Sequence, residues 1–132
     1  MTFKPILCVD FDGVIHSYVS KWEGAGHIPD LPVPGAIPFL REATKHFRVM
    51  IYSSRSGDIS GEGIPAMQRW LKFWANQEYK MWSDLAAETA FLDEIEWPLY
   101  KPTAFVAIDD RAITFTGEWP DMQTLLDFKP WN

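Results

Sequence analysis

The stretch Ile6-Leu7-Cys8-Val9-Asp10-Phe11-Asp12-Gly13-Val14 decides how the rest of the chain is read. Its apolar run, partly β-branched and counted from Lys4 to Asp10, predicts a short buried strand, and Asp12-Gly13 stops it with turn chemistry. Two carboxylates two residues apart point the same way in extended chain. Outward from there the pattern repeats. Arg48 to Ser53 predicts a second buried strand running into Ser53-Ser54-Arg55-Ser56-Gly57, a turn by composition. Ala104 to Ile108 predicts a third, and Asp109-Asp110 follows it directly.

Helical periodicity fills the gaps between these runs. Gly35 to Phe47 places Ile37, Leu40, Ala43 and Phe47 at helical spacing, with Pro38 in the first turn, where proline is tolerated. Ile64 to Gln77 carries one stripe of Ile64, Met67, Trp70, Leu71 and Trp74. Asp84 to Ile95 predicts another helix with Asp84 as N-cap. Short strands are expected at Glu96–Tyr100 and Ile113–Phe115, and a last helix at Asp121–Phe128. Alternating strands and helices favour an α/β fold: a single doubly wound, Rossmann-like parallel sheet with helices on both faces. Val14 to Pro34, rich in Gly and Pro, is expected to be a short flap after the first strand rather than a large cap domain.

Length and composition set the frame. At 132 residues, 47% hydrophobic and 23% charged, the chain fits one globular domain over residues 1–132. Its net charge of −6 disfavours a protein held on nucleic acid by its overall field, because such binding neutralises phosphates with Lys and Arg. Cys8, the single cysteine, sits in an apolar run and reads as a buried, inert thiol, which fits a reducing compartment. No apolar run reaches the roughly 18 residues of a membrane span. The first strand starts by Pro5, so no signal peptide is expected and the domain is expected to be soluble and cytoplasmic.

In parallel sheets the ligand lies at the carboxyl ends of the strands. Those ends here carry Asp10 and Asp12, then Ser53, Ser54 and Arg55, then Lys101, then Asp109 and Asp110. Four carboxylates this close cannot all stay ionised without a cation, since like charges raise one another's pKa. An oxygen-rich cluster without a Cys or His pair suits Mg²⁺, which is commonly shared with a phosphate. Asp-Gly after a strand is often only a turn, and an acidic pair is often only solvated loop. Each motif alone is weak; their joint position after apolar runs is what carries the reading.

Together these segments resemble the haloacid dehalogenase (HAD) superfamily. Cys8-Val9-Asp10-Phe11-Asp12-Gly13-Val14 is similar to its first motif and Ser53 after Val49-Met50-Ile51-Tyr52 to its second. Lys101 is similar to the third, and Phe105-Val106-Ala107-Ile108-Asp109-Asp110 to the fourth. The resemblance implies a Mg²⁺-dependent phosphatase working through an aspartyl-phosphate. Asp10 would be the nucleophile and Asp12 the general acid and base. Asp10, the Asp12 carbonyl, Asp109 and Asp110 would serve the metal, and Ser53, Ser54, Lys101 and Arg55 the phosphate. Ile108-Asp109-Asp110-Arg111 followed by Gly117-Glu118-Trp119 is nearest to the nucleotidase and polynucleotide-phosphatase branch. A flap without a cap implies an open site, suited to a phosphorylated small molecule or a nucleic-acid end.

Other readings differ in class. A receiver-type phospho-switch shares the acidic site, the Ser and the Lys, but places its acidic pair before its lone acceptor Asp and the Lys last. The order here is different. A catalytically weak HAD-like binding or regulatory module would use the tryptophans instead. Trp70, Trp74, Trp82 and Trp97 read as core and helix packing, or as a protein-partner surface. His16, Tyr18, Trp22 and His27 either pin the flap or stack on substrate.

Overall fold

The computed structural model describes residues 3–132. β1 (Ile6–Val9) lies between β2 (Arg48–Ile51) and β3 (Val106–Ile108) and runs parallel to both. The register pairs Cys8 with Met50 on one side and with Ala107 on the other. Parallel neighbours need crossovers. The β1–β2 link carries α1 (Ala36–His46), and the β2–β3 link carries α2 (Gly63–Tyr79) and α3 (Leu85–Thr89), which tightens into a 3₁₀ turn over Ala90–Glu94. A short α4 (Met122–Leu126) follows β3. The architecture is α/β with a small parallel sheet.

Local chemistry accounts for the helix ends. Gly35 precedes α1 at φ +84°, a left-handed conformation natural to glycine. The Asp84 carboxylate accepts the Ala87 N–H at 3.1 Å, and Asp121 accepts that of Thr124 at 2.8 Å, each satisfying an orphan donor of a first turn. The buried faces are those the periodicity marks: Ile37, Leu40 and Ala43 of α1, and Met67, Trp70 and Leu71 of α2. They meet Leu7, Val9, Val49 and Ile51 of the sheet together with Phe11 and Ile15. Among the described residues no helix is long and apolar enough to cross a membrane.

Two expected strands come out differently. Glu96–Tyr100 contracts to one parallel bridge, in which Ile51 donates to the Glu96 carbonyl at 3.0 Å and Glu96 donates to Val49 at 2.9 Å. Pro98 has no N–H with which to continue the ladder. Ile113–Phe115 forms no strand; Phe115 packs on Trp119 instead, ring centroids 4.8 Å apart. The chain thus moves from β1 outward to β2 and Glu96, then returns to the far side of β1 as β3. Connections diverge at the carboxyl ends of β1 and β3, which is where a parallel sheet leaves a crevice.

Gly63, buried at the start of α2, lies against the loop that leaves β2: an added Cβ would run into the carbonyl of Arg55. Glycine to alanine inside a helix ordinarily stabilises by up to about 1 kcal/mol. Here Gly63→Ala is expected to destabilise by about 1–3 kcal/mol through overpacking against backbone that cannot yield. Urea unfolding reads the sign, and a stabilised variant would contradict the close approach.

Candidate active site

Asp10 continues the ladder one residue past β1, its N–H donating to Ile108 at 3.0 Å. That bond sets it beside Asp109 and Asp110, the first residues after β3. Carboxylate oxygens of the three lie within 4.8 Å of one another, an acidic triad able to hold a metal ion. Asp109 is exposed and accepts the Arg111 N–H at 2.8 Å; Asp10 and Asp110 are half-buried. The Oδ1 of Asp110 is buried without a hydrogen-bond partner among the described residues. Gly13, at φ +82°, backs this carboxylate so closely that a Cβ there would overlap it. Burial pushes the Asp10 carboxyl up to about 7; the Phe11 N–H at 2.8 Å opposes the rise, and Asp109 and Asp110 add to it.

The carboxylate of Asp12 does not join the triad, contrary to the expectation from its spacing. β1 ends at Val9, and the Phe11 carbonyl then collects the N–H groups of Val14, Ile15 and His16 at 3.2, 2.9 and 2.9 Å. That tight turn ends the extended geometry on which a two-residue alternation depends. Asp12 faces instead two donors without exposed surface, His16 and Arg55. His16 Nδ1 stands 2.9 Å from Oδ1, and Arg55 Nε stands 3.1 Å from Oδ1 and 2.9 Å from Oδ2.

Arg55 is likewise not at the mouth of the site, where a phosphate clamp would need it. Its Nη1 donates to the carbonyls of Gly24, Ala25 and His27 at 2.8, 2.9 and 3.1 Å, and the Trp22 ring lies 4.9 Å from its Cζ. Flap aromatics thus pack on the body: Trp22 on Arg55, and His16 among Phe11, Tyr18 and Trp70. The flap ends pair with each other, Ser17 donating to Leu31 at 2.9 Å and Val33 to Ile15 at 2.8 Å.

Ser53 is buried just beyond β2, on the strand beside Asp10, with its hydroxyl oxygen accepting the Arg55 N–H at 3.0 Å. Ser54 is exposed. Lys101 is exposed in the loop before β3 and forms no ion pair among the described residues; its charge is felt at Cys8, whose thiol burial pushes up. Of the expected tryptophan cluster, Trp70 is core, Trp74 and Trp97 pack against it, and Trp82 is exposed. His16 was expected to pin the flap or stack on substrate, and its bond to Asp12 and the part of Asp30 were not foreseen; the signal available was the four-residue spacing of Asp12 and His16 across a glycine turn. No family model, curated protein or solved structure matches the chain.

The raised Asp10 carboxyl fixes a pH dependence. Its folded pKa exceeds the unfolded value, so the metal-free folded state binds the extra proton between about pH 4 and about pH 7. The associated stability is complete below that window and lost as pH rises through it. Thermal melts without divalent cations are expected to show Tm falling from pH 5 to pH 8, with the decline flattened in Asp10→Asn. Mg²⁺ is expected to raise Tm more at pH 8 than at pH 5, and an equal rise at both would speak against binding at Asp10.

Proposed function

We propose that this chain is a phosphatase of the haloacid dehalogenase type, hydrolysing a phosphate monoester with the help of Mg²⁺. One observation carries the reading. Three carboxylates converge where the sheet's connections diverge, and one of their oxygens is buried with nothing to bond. The donor set fits the metal: all hard oxygens, and no thiol or imidazole among the three. Asp10, Asp109 and Asp110 would hold it with the Asp12 carbonyl, and when bound it would neutralise charge on the carboxylates and the phosphoryl oxygens. The strand order supports extending the small sheet's α/β description to a doubly wound, Rossmann-like one.

The steps follow from the residues. An Asp10 oxygen attacks phosphorus while the bond to the ester oxygen breaks, leaving an aspartyl-phosphate. The departing oxygen takes a proton from Asp12. Water then attacks the phosphoryl group, Asp12 takes a proton from it, and Asp10 is released with inorganic phosphate. Ser53, one strand from Asp10, would bind phosphoryl oxygens, and Lys101 would do so from its loop. A flap too short for a packed cap favours an ester whose remainder extends out of the site, a nucleotide or a polynucleotide end.

With p-nitrophenyl phosphate, turnover is expected in Mg²⁺ and none in EDTA. Asp10→Asn should fall to background with the fold intact. Asp12→Asn should lose about 10²–10⁴-fold on an alkyl phosphate and much less on p-nitrophenyl phosphate, whose leaving group needs no proton. Substantial Mg²⁺-dependent activity in pure Asp10→Asn would overturn the assignment.

A further inference from the structure

His16 has no exposed surface, and both of its ring nitrogens are engaged. Nε2 accepts the backbone N–H of Asp30 at 3.1 Å, so it carries no proton and the neutral ring is protonated on Nδ1. That Nδ1–H donates to Asp12 Oδ1 at 2.9 Å. Asp30 is itself fixed. Its carboxylate, 3.6 Å from Nε2, accepts the Ser20 N–H and hydroxyl, each at 2.8 Å, and its carbonyl accepts Trp70 Nε1–H at 3.1 Å. A continuous set of hydrogen bonds therefore runs from α2 through the flap to Asp12. At its end Oδ1 has two donors, His16 and Arg55, whereas Oδ2 has Arg55 alone. The Asp12 carboxylate is thereby held in one orientation through both of its oxygens.

We propose that His16 is a positioning residue: through its Nδ1–H it occupies Oδ1 of Asp12 and ties the orientation of that carboxylate to the seated flap. The inference rests on Asp12 being the acid and base of the proposed phosphatase. The proton passes from the Asp12 carboxyl to the ester oxygen as the bond to phosphorus breaks, and returns to that carboxyl from the attacking water. His16 exchanges no proton in either step; its effect is on orientation, which governs how well a proton is delivered.

The experiment compares kcat on an alkyl phosphate with kcat on p-nitrophenyl phosphate, in Mg²⁺, for wild type, His16→Leu and His16→Asn. Leucine keeps the volume and removes the donor; the asparagine amide places an N–H where Nδ1 was. His16→Leu is expected to lower the alkyl-to-aryl ratio about tenfold with KM little changed, and His16→Asn to restore it to within about threefold. A purely packing role would lower both rates together, and an unchanged ratio in an active His16→Leu overturns the inference while leaving the phosphatase intact. Absence of wild-type turnover on any phosphate overturns the phosphatase and the inference with it. Should His16→Leu not fold, the ring tautomer read by ¹⁵N NMR in the wild type decides: Nδ1–H is expected, and Nε2–H refutes the geometry.

Discussion

The guanidinium of Arg55, without any exposed surface, joins three parts of the chain that are remote in sequence. Burying a charge costs several kcal/mol unless it is answered by an opposite charge and by acceptors. Asp12 answers it from the loop after β1, and three consecutive-region carbonyls, those of Gly24, Ala25 and His27, answer it from the flap. Its own loop follows β2, so one side chain sets the spacing of two strand-end loops and seats the flap on both. A lysine could not do this, because a point charge lacks the planar fork that serves an ion pair along one direction and carbonyls along another. Nη2 has no hydrogen-bond partner among the described residues, and the Trp22 face lies 4.9 Å from Cζ.

This pairing separates two carboxylates that the sequence places almost side by side. Asp10 keeps the company of acids: burial, Asp109 and Asp110 all push its proton affinity up. Asp12 keeps the company of donors, Arg55 and His16. Residues of the same type, two positions apart, thereby sit in opposite electrostatic surroundings. The tight turn on the Phe11 carbonyl is the cause, since it rotates Asp12 off the face that Asp10 occupies.

What could be read from the sequence follows the range of the interactions involved. Strand ends were legible because each apolar run stops at a polar residue, and the parallel order then brings Asp10 and Asp109 together without further information. Helices were legible because Leu40, Met67 and Leu71 recur with the helical period and are buried. The Arg55 contacts, 28 to 43 residues apart along the chain, leave no local trace. Neither does the bond from Trp131 Nε1–H to the Gly13 carbonyl, at 2.7 Å across 118 residues. Alternation along a strand misplaced Asp12 because it holds only while the chain stays extended, and β1 ends one residue before Asp10.

For the proposed phosphatase, charge explains why the triad and a phosphate ester would need a third party. The chain carries a net charge of −6, and Arg55, the cation nearest in sequence to Ser53, is already engaged by Asp12. Arg111 Nε reaches Asp110 at 4.0 Å on the surface, and Lys101 forms no ion pair among the described residues. Two like charges about 4 Å apart repel by about 4 kcal/mol at the effective dielectric of a protein surface. A phosphate dianion approaching three carboxylates meets several such terms, more than one exposed lysine offsets. Burial first, and the neighbouring carboxylates after it, raise Asp10 to about 7, and its protonation relieves one of these repulsions, but a protonated carboxyl is no nucleophile. A divalent cation would relieve the repulsion while leaving Asp10 ionised, so proton and cation would compete for the same oxygens, and in the proposed phosphatase the attacking carboxylate is the one whose charge the site most needs to neutralise.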